Sequence, residues 1–592
     1  MTRLLSLLER PRAAWYVIGI AMVLWSPVLV TGLWLDDFWH WTVLDAPGVL
    51  TQYLRAPYEM FTFANGDPGR TVQIMEMGLF PWWTDPELKV SFWRPITALT
   101  HRLDYALWPD SPVLMPAQNL VWWGATLVLV SALYRRFLGA GRIAALALLL
   151  YAVDDSRAAP IAWVANRNCL LSLFFGFAAL FAYDRWRSKG SVLYAAAAGA
   201  AMLAGLLSNE GAIAITAYFF AHALFLDSRP VMRRVAALVP FAVIVLVWRI
   251  VYASKGYGVD NADLYIDPLT SPLRFVFAAI KTLPVLLLAQ WTPIPPEPMV
   301  VMGAGLSVAF AALAVAVVAF GGYVLWPLLR RDATARFFAT GMILCLAPAC
   351  ATFPSGRMLA FSAFGAFGVM ALFFKAVREG AYEGPPRIAK GFYAFSVASH
   401  LIIAPVVAVF SVVGLGTAGY LMRTAAVGAP MPEQDVEKTF VVLNSPSFFI
   451  TTYLPIIRAH EGLPYAPQLV NLAPSVALPV PFVVTRIDER SLRYYAPTGY
   501  QWILLRNDDH PFAVGDTVVF EGRSAEVIRV NEKGCPTEVV FRFATSLDDP
   551  ALVWLEFDER AFFRNPSTAF RRSAPPRIGE SRAFQGTTSM VR

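Results

Sequence analysis

Charge is scarce in this sequence. Only 15% of its 592 residues are Asp, Glu, Lys or Arg, and 57% are apolar, whereas a soluble domain carries about 25% charged residues. That shortage excludes an ordinary soluble protein and makes lipid the natural solvent. Cysteine is scarcer still, with four residues: Cys169, Cys345 and Cys350 lie within or beside apolar blocks and Cys535 lies in a predicted hairpin. Such spacing supports neither a disulfide framework nor a metal site. No Walker loop, dinucleotide fingerprint or Gly-x-Ser-x-Gly elbow occurs, so nucleotide chemistry is not indicated. His40, His101 and His222 share no metal-ligand spacing and read as structural. The net charge of +7 would suggest nucleic acid in a soluble protein. Here many Lys and Arg residues sit in short connections between apolar blocks and mark topology instead.

What the sequence has in abundance is apolar blocks of roughly 17 to 25 residues, the length that crosses a hydrocarbon core about 30 Å thick. In lipid each such block must satisfy its backbone internally, so the blocks are helices. Spans are predicted at 13–33, 113–134, 138–153, 162–183, 191–208, 211–227, 235–253, 299–326, 336–353, 359–378 and 392–422, about eleven helices. Arg3, Arg10 and Arg12 before the first span place the N-terminus in the cytoplasm. Basic clusters at 135–142, 185–189, 229–234, 330–336 and 375–390 agree with alternate crossings. A further apolar block at 273–292 would break that alternation, so it is expected to lie in the outer interface or to re-enter. Arg274, Lys281 and the prolines at 293, 295, 296 and 298 support that reading. The first span has a basic leader like a signal peptide, but it lacks a small-residue cleavage site, and aromatic residues at 34–41 follow it as an interfacial belt.

Residues 1–429 are thus expected to form a transmembrane module, with 34–112 as its first extracytoplasmic loop. The composition changes after residue 423. Alternating stretches at 517–521, 525–530, 537–543 and 551–557 read as strands, and 439–443 followed by 448–457 reads as a strand leading into a helix. Residues 430–572 are therefore expected to be an α+β, strand-rich extracytoplasmic domain, and 573–592 a disordered tail.

Polar residues collect at the outer ends of the spans. Leu33-Trp34-Leu35-Asp36-Asp37-Phe38-Trp39-His40 follows the first, a carboxylate pair set among aromatics. Asp154-Asp155 and Arg157 follow the third, Asn166-Arg167-Asn168 open the fourth, Asn209-Glu210 end the fifth and Ser355-Gly356-Arg357 end the ninth. A transporter would place such groups near the midplane, on broken helices. At the headgroup level of one leaflet they suit a lipid-linked substrate. Each also admits a bland role: Arg94, Arg167 and Arg357 as snorkelling cations, Asn166 and Asn209 as interhelical hydrogen-bond partners.

Four groups of residues carry a family resemblance. Phe92-Trp93-Arg94-Pro95-Ile96-Thr97 runs on into Leu103-Asp104-Tyr105 and Gln118-Asn119-Leu120. Ala162-Trp163-Val164-Ala165-Asn166-Arg167 and Leu207-Ser208-Asn209-Glu210-Gly211 follow, and then Arg357 within 355–364. Over residues 14–375 these resemble the GT-C glycosyltransferases, in particular the transmembrane, TPR-containing O-mannosyltransferases and their bacterial cousins. The resemblance implies a GT-C-like helical bundle in a bacterial cytoplasmic (inner) membrane, with a polyprenyl-phosphate sugar as donor. It implies hexosyl transfer, mannose being one candidate, to a glycan, lipid or protein hydroxyl. Asp36-Asp37 stands where that family keeps its acidic motif. Asp154-Asp155 replaces the family's usual His-Pro, Asn166-Arg167 replaces its common Gly-Arg, and no TPR repeats follow.

Glycosyl transfer needs a carboxylate to take the acceptor's proton and cations to stabilise the departing lipid phosphate. Asp36 is the expected base, with Asp37 as alternate. Asp154 or Asp155 is expected to orient the acceptor, or to hold a divalent metal together with Asp36. Arg94, Arg167, Arg357 and more weakly Lys255 are candidate phosphate ligands, and Asn166 and Glu210 complete the polar site. The strand-rich domain is expected to place the acceptor without serving the donor. The competing reading is a non-catalytic scaffold, or a transporter or flippase for lipid-linked glycans.

Overall fold

Helices dominate the chain, as its apolar blocks require. The computed structural model describes all residues except 1–7, 11, 46–58, 110, 476–479, 501–503 and 585–592. Helices of nine residues or more run in this order: α1 (Ala13–Trp25), α2 (Asp36–Leu44), α3 (Pro68–Glu76), α4 (Pro95–Leu107), α5 (Leu114–Leu138) and α6 (Arg142–Ala152). They continue with α7 (Arg167–Lys189), α8 (Val192–Leu206), α9 (Thr216–Phe225), α10 (Val231–Ser254), α11 (Pro272–Trp291) and α12 (Ala304–Arg331). The last five are α13 (Ala333–Leu344), α14 (Ala360–Arg378), α15 (Pro386–Ala398), α16 (Ala404–Gly428) and α17 (Phe448–His460). Local chemistry sets several of the boundaries. α7 stops at Gly190 in the left-handed region, φ 74°, a common helix end. α12 and α13 are separated by Asp332 alone, whose carboxylate caps the new helix by accepting from Thr334 N and Ala335 N at 2.7 and 3.0 Å.

The chain divides into two compact units: residues 1–32, 93–255 and 266–416 form the first, and 33–92, 256–265 and 417–592 the second. This differs from the expected division at residue 430, because the segment after the first span shares its core with the C-terminal region.

Among the described residues, eight helical segments are long and apolar enough to cross a membrane: Ala13–Val30, Val164–Lys189, Val231–Ser254, Pro272–Trp291, Gly305–Arg331, Ala333–Ala351, Gly356–Arg378 and Pro386–Gly428. The expected spans near 138–153, 191–208 and 211–227 are helical but shorter, and α5, though 25 residues long, is diluted by Gln118, Asn119, Arg135 and Arg136. Residues 272–291 form one uninterrupted helix with Pro284 inside it, long enough to span. No turn reverses it, so it is not a re-entrant pair; it packs on α12 through Val285, Leu288 and Ala314. Pro386–Gly428 is continuous over 43 residues through a π turn at Ser399–Ile403, about 65 Å and twice a bilayer's hydrocarbon thickness.

Burial separates the helices of the first unit. Gly356–Arg378 is 78% buried over its most apolar window, and Gly305–Arg331 only 17%. A helix apolar all round belongs in a core or in lipid, and the two helices take those alternatives. The central one receives three tyrosine hydroxyls on its carbonyls, Tyr134 on Phe364, Tyr151 on Ala360 and Tyr218 on Phe361, at 2.7–3.1 Å. The basic clusters share one end of this unit, where Arg136 pairs with Asp184, Arg187 with Asp227, and Arg142 with Glu9 and Glu379.

The second unit is built on sheets. Strands β6 (Phe482–Arg486), β7 (Ser491–Tyr495), β8 (Thr517–Phe520), β9 (Arg523–Val530), β10 (Pro536–Phe543) and β13 (Ser581–Phe584) form an antiparallel sheet in the order β13-β6-β7-β10-β9-β8. β4 (Thr439–Val442) runs parallel to β5 (Leu469–Asn471) with α17 as the crossover, and β11 (Leu552–Phe557) and β12 (Phe570–Arg572) complete that sheet as β12-β11-β4-β5. β1 (Thr62–Asn65), β2 (Lys89–Ser91) and β3 (Gly258–Asp260) make a third. The expected tail is therefore structured as far as Phe584, where β13 pairs with β6; residues 585–592 lie outside the described residues. Trp82 and Trp83, expected to belong to a loop, pack edge-to-face with Tyr500 in the core of this unit at 5.1 and 5.0 Å.

One close approach ties that segment to the sheet. At Gly78, φ 79°, an added Cβ would lie 1.5 Å from the carbonyl oxygen of Leu469. Gly522, φ 74°, has open space around it. Gly522→Ala should cost roughly the 1–2 kcal/mol of a left-handed L-residue, whereas Gly78→Ala should cost several kcal/mol. Thermal midpoints in detergent compare them, and equal losses would mean that residue 78 does not press on β5.

Candidate active site

In the first unit the polar residues occupy short 3₁₀ turns that interrupt apolar helices. These turns are Asp155–Arg157, Val164–Asn166, Glu210–Ile215, Glu297–Val300 and Gly356–Leu359. Unwound backbone at membrane depth persists only where protein or a wet cavity satisfies it, so the turns mark a polar end of the bundle. Several contacts close that end. Leu207 O accepts from Ile96 N at 3.2 Å, and Ser208 O accepts from the Thr97 hydroxyl at 2.8 Å. Asn209 Nδ2 donates to Asn168 Oδ1 at 2.5 Å, and the 356–359 turn packs beside Ser156.

The four candidate phosphate ligands behave differently. Arg167, 0% exposed, opens α7, and its donors reach Asn119 Oδ1 at 2.6 Å, Met115 O at 3.0 Å and Thr100 O at 3.2 Å. Nη2 also lies 2.5 Å from Asp104 Oδ2, a carboxylate as buried as itself. Arg167 is thus an internal tie between α4, α5 and α7, and its expected role as a phosphate ligand is corrected. A side chain with no exposed surface cannot meet a lipid headgroup. Arg94 directs Nε and Nη2 to Glu210 Oε2 at 3.0 and 2.8 Å. Burial opposes its charge, but the Glu210 carboxylate overrides burial and holds the Arg94 pKa above its ordinary value. Glu210 is therefore the partner of Arg94. Lys255 ends α10 with Nζ 5.8 Å from the centre of the Trp93 ring.

Arg357 remains. Its guanidinium lies 5.1 Å over the Phe353 ring, and its buried Nε makes no hydrogen bond among the described residues. Cys169 lies two residues after Arg167 in the first turn of α7. Asn166 adjoins it, accepting from the Cys169 thiol at 3.0 Å.

The second acidic pair is a mixed cluster. Asp154 is 4% exposed; its Oδ1 accepts from Ser156 and lies 3.7 Å from Nη2 of Arg157, which is itself fully buried against Tyr151. Asp155 is half-buried in the connection between spans. Burial, and secondly the Asp154 carboxylate, push its carboxyl up to about 7. Glu297 also acts on it, while accepting from Ser355 Oγ and Gly356 N at 2.9 and 2.7 Å. Among the described residues no three His, Cys, Asp or Glu side chains are grouped to hold a metal ion.

In the second unit the chain bends at Leu35, φ 44°, an unusual conformation for a non-glycine residue, and enters α2 with both carboxylates in its first turn. Such a position suits negative charge. Asp37 is 2% exposed and its Oδ2 reaches back to accept from Trp34 N at 2.8 Å. Asp36 is half-buried and accepts from the Tyr453 hydroxyl, which belongs to the C-terminal region, at 2.6 Å.

Sequence reasoning missed Tyr453, Glu297 and Cys169 as site residues. Glu297 stands in the Pro-rich run taken as an interfacial marker, and a carboxylate flanked by prolines was the available signal. Nothing local distinguishes Tyr453 from the apolar residues around it.

No family profile and no curated protein matches the sequence. Among solved structures, the chain is similar to the Archaeoglobus fulgidus oligosaccharyltransferase tethered to an acceptor peptide, at 14% identity over 78% of this chain and 64% of that one, TM-score 0.35. It is similar to ArnT from Cupriavidus metallidurans in the apo state, at 13% identity over 76% and 88%, TM-score 0.37. The same ArnT bound to undecaprenyl phosphate gives 13% over 77% and 89%, TM-score 0.33. The chain thus spans just under two thirds of the archaeal enzyme's length. At such scores the likeness assigns this chain neither donor nor acceptor.

Two outcomes test the geometry. Arg167→Ala leaves Asp104 buried without its cation and should destabilise the protein by about 3–5 kcal/mol; unchanged thermal stability would place Arg167 at the surface. For Asp155, the folded state holds the proton more tightly than the unfolded chain, where Asp ionises near 3.9. Its contribution to stability is therefore full below about pH 4 and is lost as pH rises through about 7. Asp155→Asn should match the parent at pH 4 and melt higher at pH 8. A difference that does not grow with pH would remove Asp155 from the cluster.

Proposed function

We propose that this chain is a membrane glycosyltransferase that moves a sugar from a polyprenyl-phosphate donor to an acceptor hydroxyl on the extracytoplasmic face. The observation that carries the reading is the distribution of arginines in the first unit. Arg94, Arg157 and Arg167 each face a carboxylate, but among the described residues Arg357 makes no ion pair. A cation held at the polar end of an apolar bundle, without an internal acid, suits an anionic group that arrives from the lipid. Arg357 is the primary phosphate ligand in this reading, with Lys255 secondary. The Arg94–Glu210 pair shapes the site around Cys169 and Asn166, and Asp155 with Glu297 faces the acceptor.

Asp36 acts as the base. The acceptor oxygen attacks the anomeric carbon, its proton passes to the Asp36 carboxylate, and the bond from that carbon to the phosphate oxygen breaks. The phosphate leaves with the electron pair, and Arg357 stabilises its charge. The donor sugar and acceptor class, hexosyl and hydroxyl in this reading, follow from the motif resemblance.

The two roles predict separable defects. Binding of undecaprenyl phosphate to protein in nanodiscs should weaken roughly 10- to 150-fold in Arg357→Ala, the equivalent of a charge-assisted bond. Asp36→Asn should bind it as the parent does, yet transfer sugar about 10²- to 10⁴-fold more slowly in a screen of polyprenyl-phosphate sugars. Parental transfer by Asp36→Asn would reject the proposed base and favour a scaffold.

A further inference from the structure

The carboxylate assigned as base is held from the C-terminal region. Tyr453, 4% exposed, donates its hydroxyl to Asp36 Oδ1 over 2.6 Å. Its helix, α17, is pinned along its length. The Thr452 hydroxyl donates to Leu79 O at 2.9 Å. The buried Arg458 guanidinium donates to Ala426, Val427 and Ala429 carbonyls at 2.9–3.0 Å, and to Met431 O at 3.0 Å. These carbonyls lie at and just after the end of α16, where a helix runs out of intrahelical donors. The His460 ring stands edge-on to Phe38 and Trp41 of α2 at 5.3 and 5.0 Å. Tyr453 therefore cannot drift from Asp36 without disturbing three other attachments.

We propose that Tyr453 is a positioning residue whose hydroxyl orients the Asp36 carboxylate and lowers its proton affinity, so that the C-terminal region sets the pH range in which Asp36 works. A donor to the ionised form of a carboxylate favours that form. Burial first, and then the Asp36 charge, hold the Tyr453 phenol above its usual pKa, so it stays protonated and donates. Among the described residues, the titratable and charged groups on the elements packed around Asp36 include Asp37 and His40 on α2, Glu59 before β1, and Arg458, His460 and Glu461 at the end of α17. Tyr453 bonds to Asp36 directly. The inference rests on Asp36 being the base, but its test does not require turnover.

Carbodiimide modifies protonated carboxyl groups, so the pH at which Asp36 labelling falls to half, read by peptide mapping of the intact chain in nanodiscs, reports its proton affinity. Tyr453→Phe should raise that midpoint by roughly one pH unit, the scale of one hydrogen bond to a charged group. Site-specific 3-fluorotyrosine at position 453, a stronger donor of nearly the same shape, should lower it. The second arm decides alone if Tyr453→Phe does not fold. An unmoved midpoint in folded protein overturns the proposal. A midpoint that moves while Asp36→Asn still transfers at the parental rate establishes Tyr453's control of the carboxylate and rejects Asp36 as base.

Discussion

A guanidinium taken wholly out of water must have its donors answered, and in this protein the answer organises the first unit. Arg167 and Asp104, both without exposed surface, would each be prohibitively costly alone. Together, with Asn119, Met115 and Thr100 supplying further acceptors, they bind the start of α7 to α4 and α5. Everything polar nearby takes its place from that tie. Arg94 immediately precedes α4, Asn166 and Cys169 flank Arg167 itself, and Asn168 reaches Asn209 beside Glu210. The network is structural, yet it presents the residues proposed to meet a lipid phosphate.

The second unit solves a different problem. Its carboxylate follows a span directly and lies in a segment rich in aromatics but too short to form a core. Trp82 and Trp83 obtain one by packing edge-to-face with Tyr500, and Gly78 permits contact with β5 that any side chain would block. The strand-rich region is thus the core on which the segment carrying Asp36 folds. α17 serves both halves, because one face caps the end of α16 through Arg458 and another reaches α2 through Tyr453 and His460.

Much of this was readable beforehand and some was not. Strands expected at 517–521, 525–530, 537–543 and 551–557 are β8 to β11 within a residue or two, since alternation is a local signal that survives tertiary packing. The block at 273–292 was expected to lie in the outer interface or to re-enter because charge alternation argued against crossing; it is one continuous helix of spanning length whose apolar residues pack on α12. Arg167 looked like Arg94 and Arg357 because all three stand at the same ends of apolar blocks. Only the neighbours differ: buried Asp104 for one, Glu210 for the second, and for the third no ion pair among the described residues.

By itself the sequence determined the solvent, the helical character of the apolar blocks, the strand-rich C-terminal region and the clustering of polar groups at span ends. Those properties follow from composition and from periods of two or 3.6 residues, which act over a few neighbours. Tertiary structure decided which charges are paired and which remain available, and which region steadies Asp36. The partners lie far apart in the chain, 116 residues for Arg94 and Glu210 and 417 for Asp36 and Tyr453. No local period encodes such pairs; they arise because a folded interior forces each buried polar group to find whatever complementary atom the packing brings near.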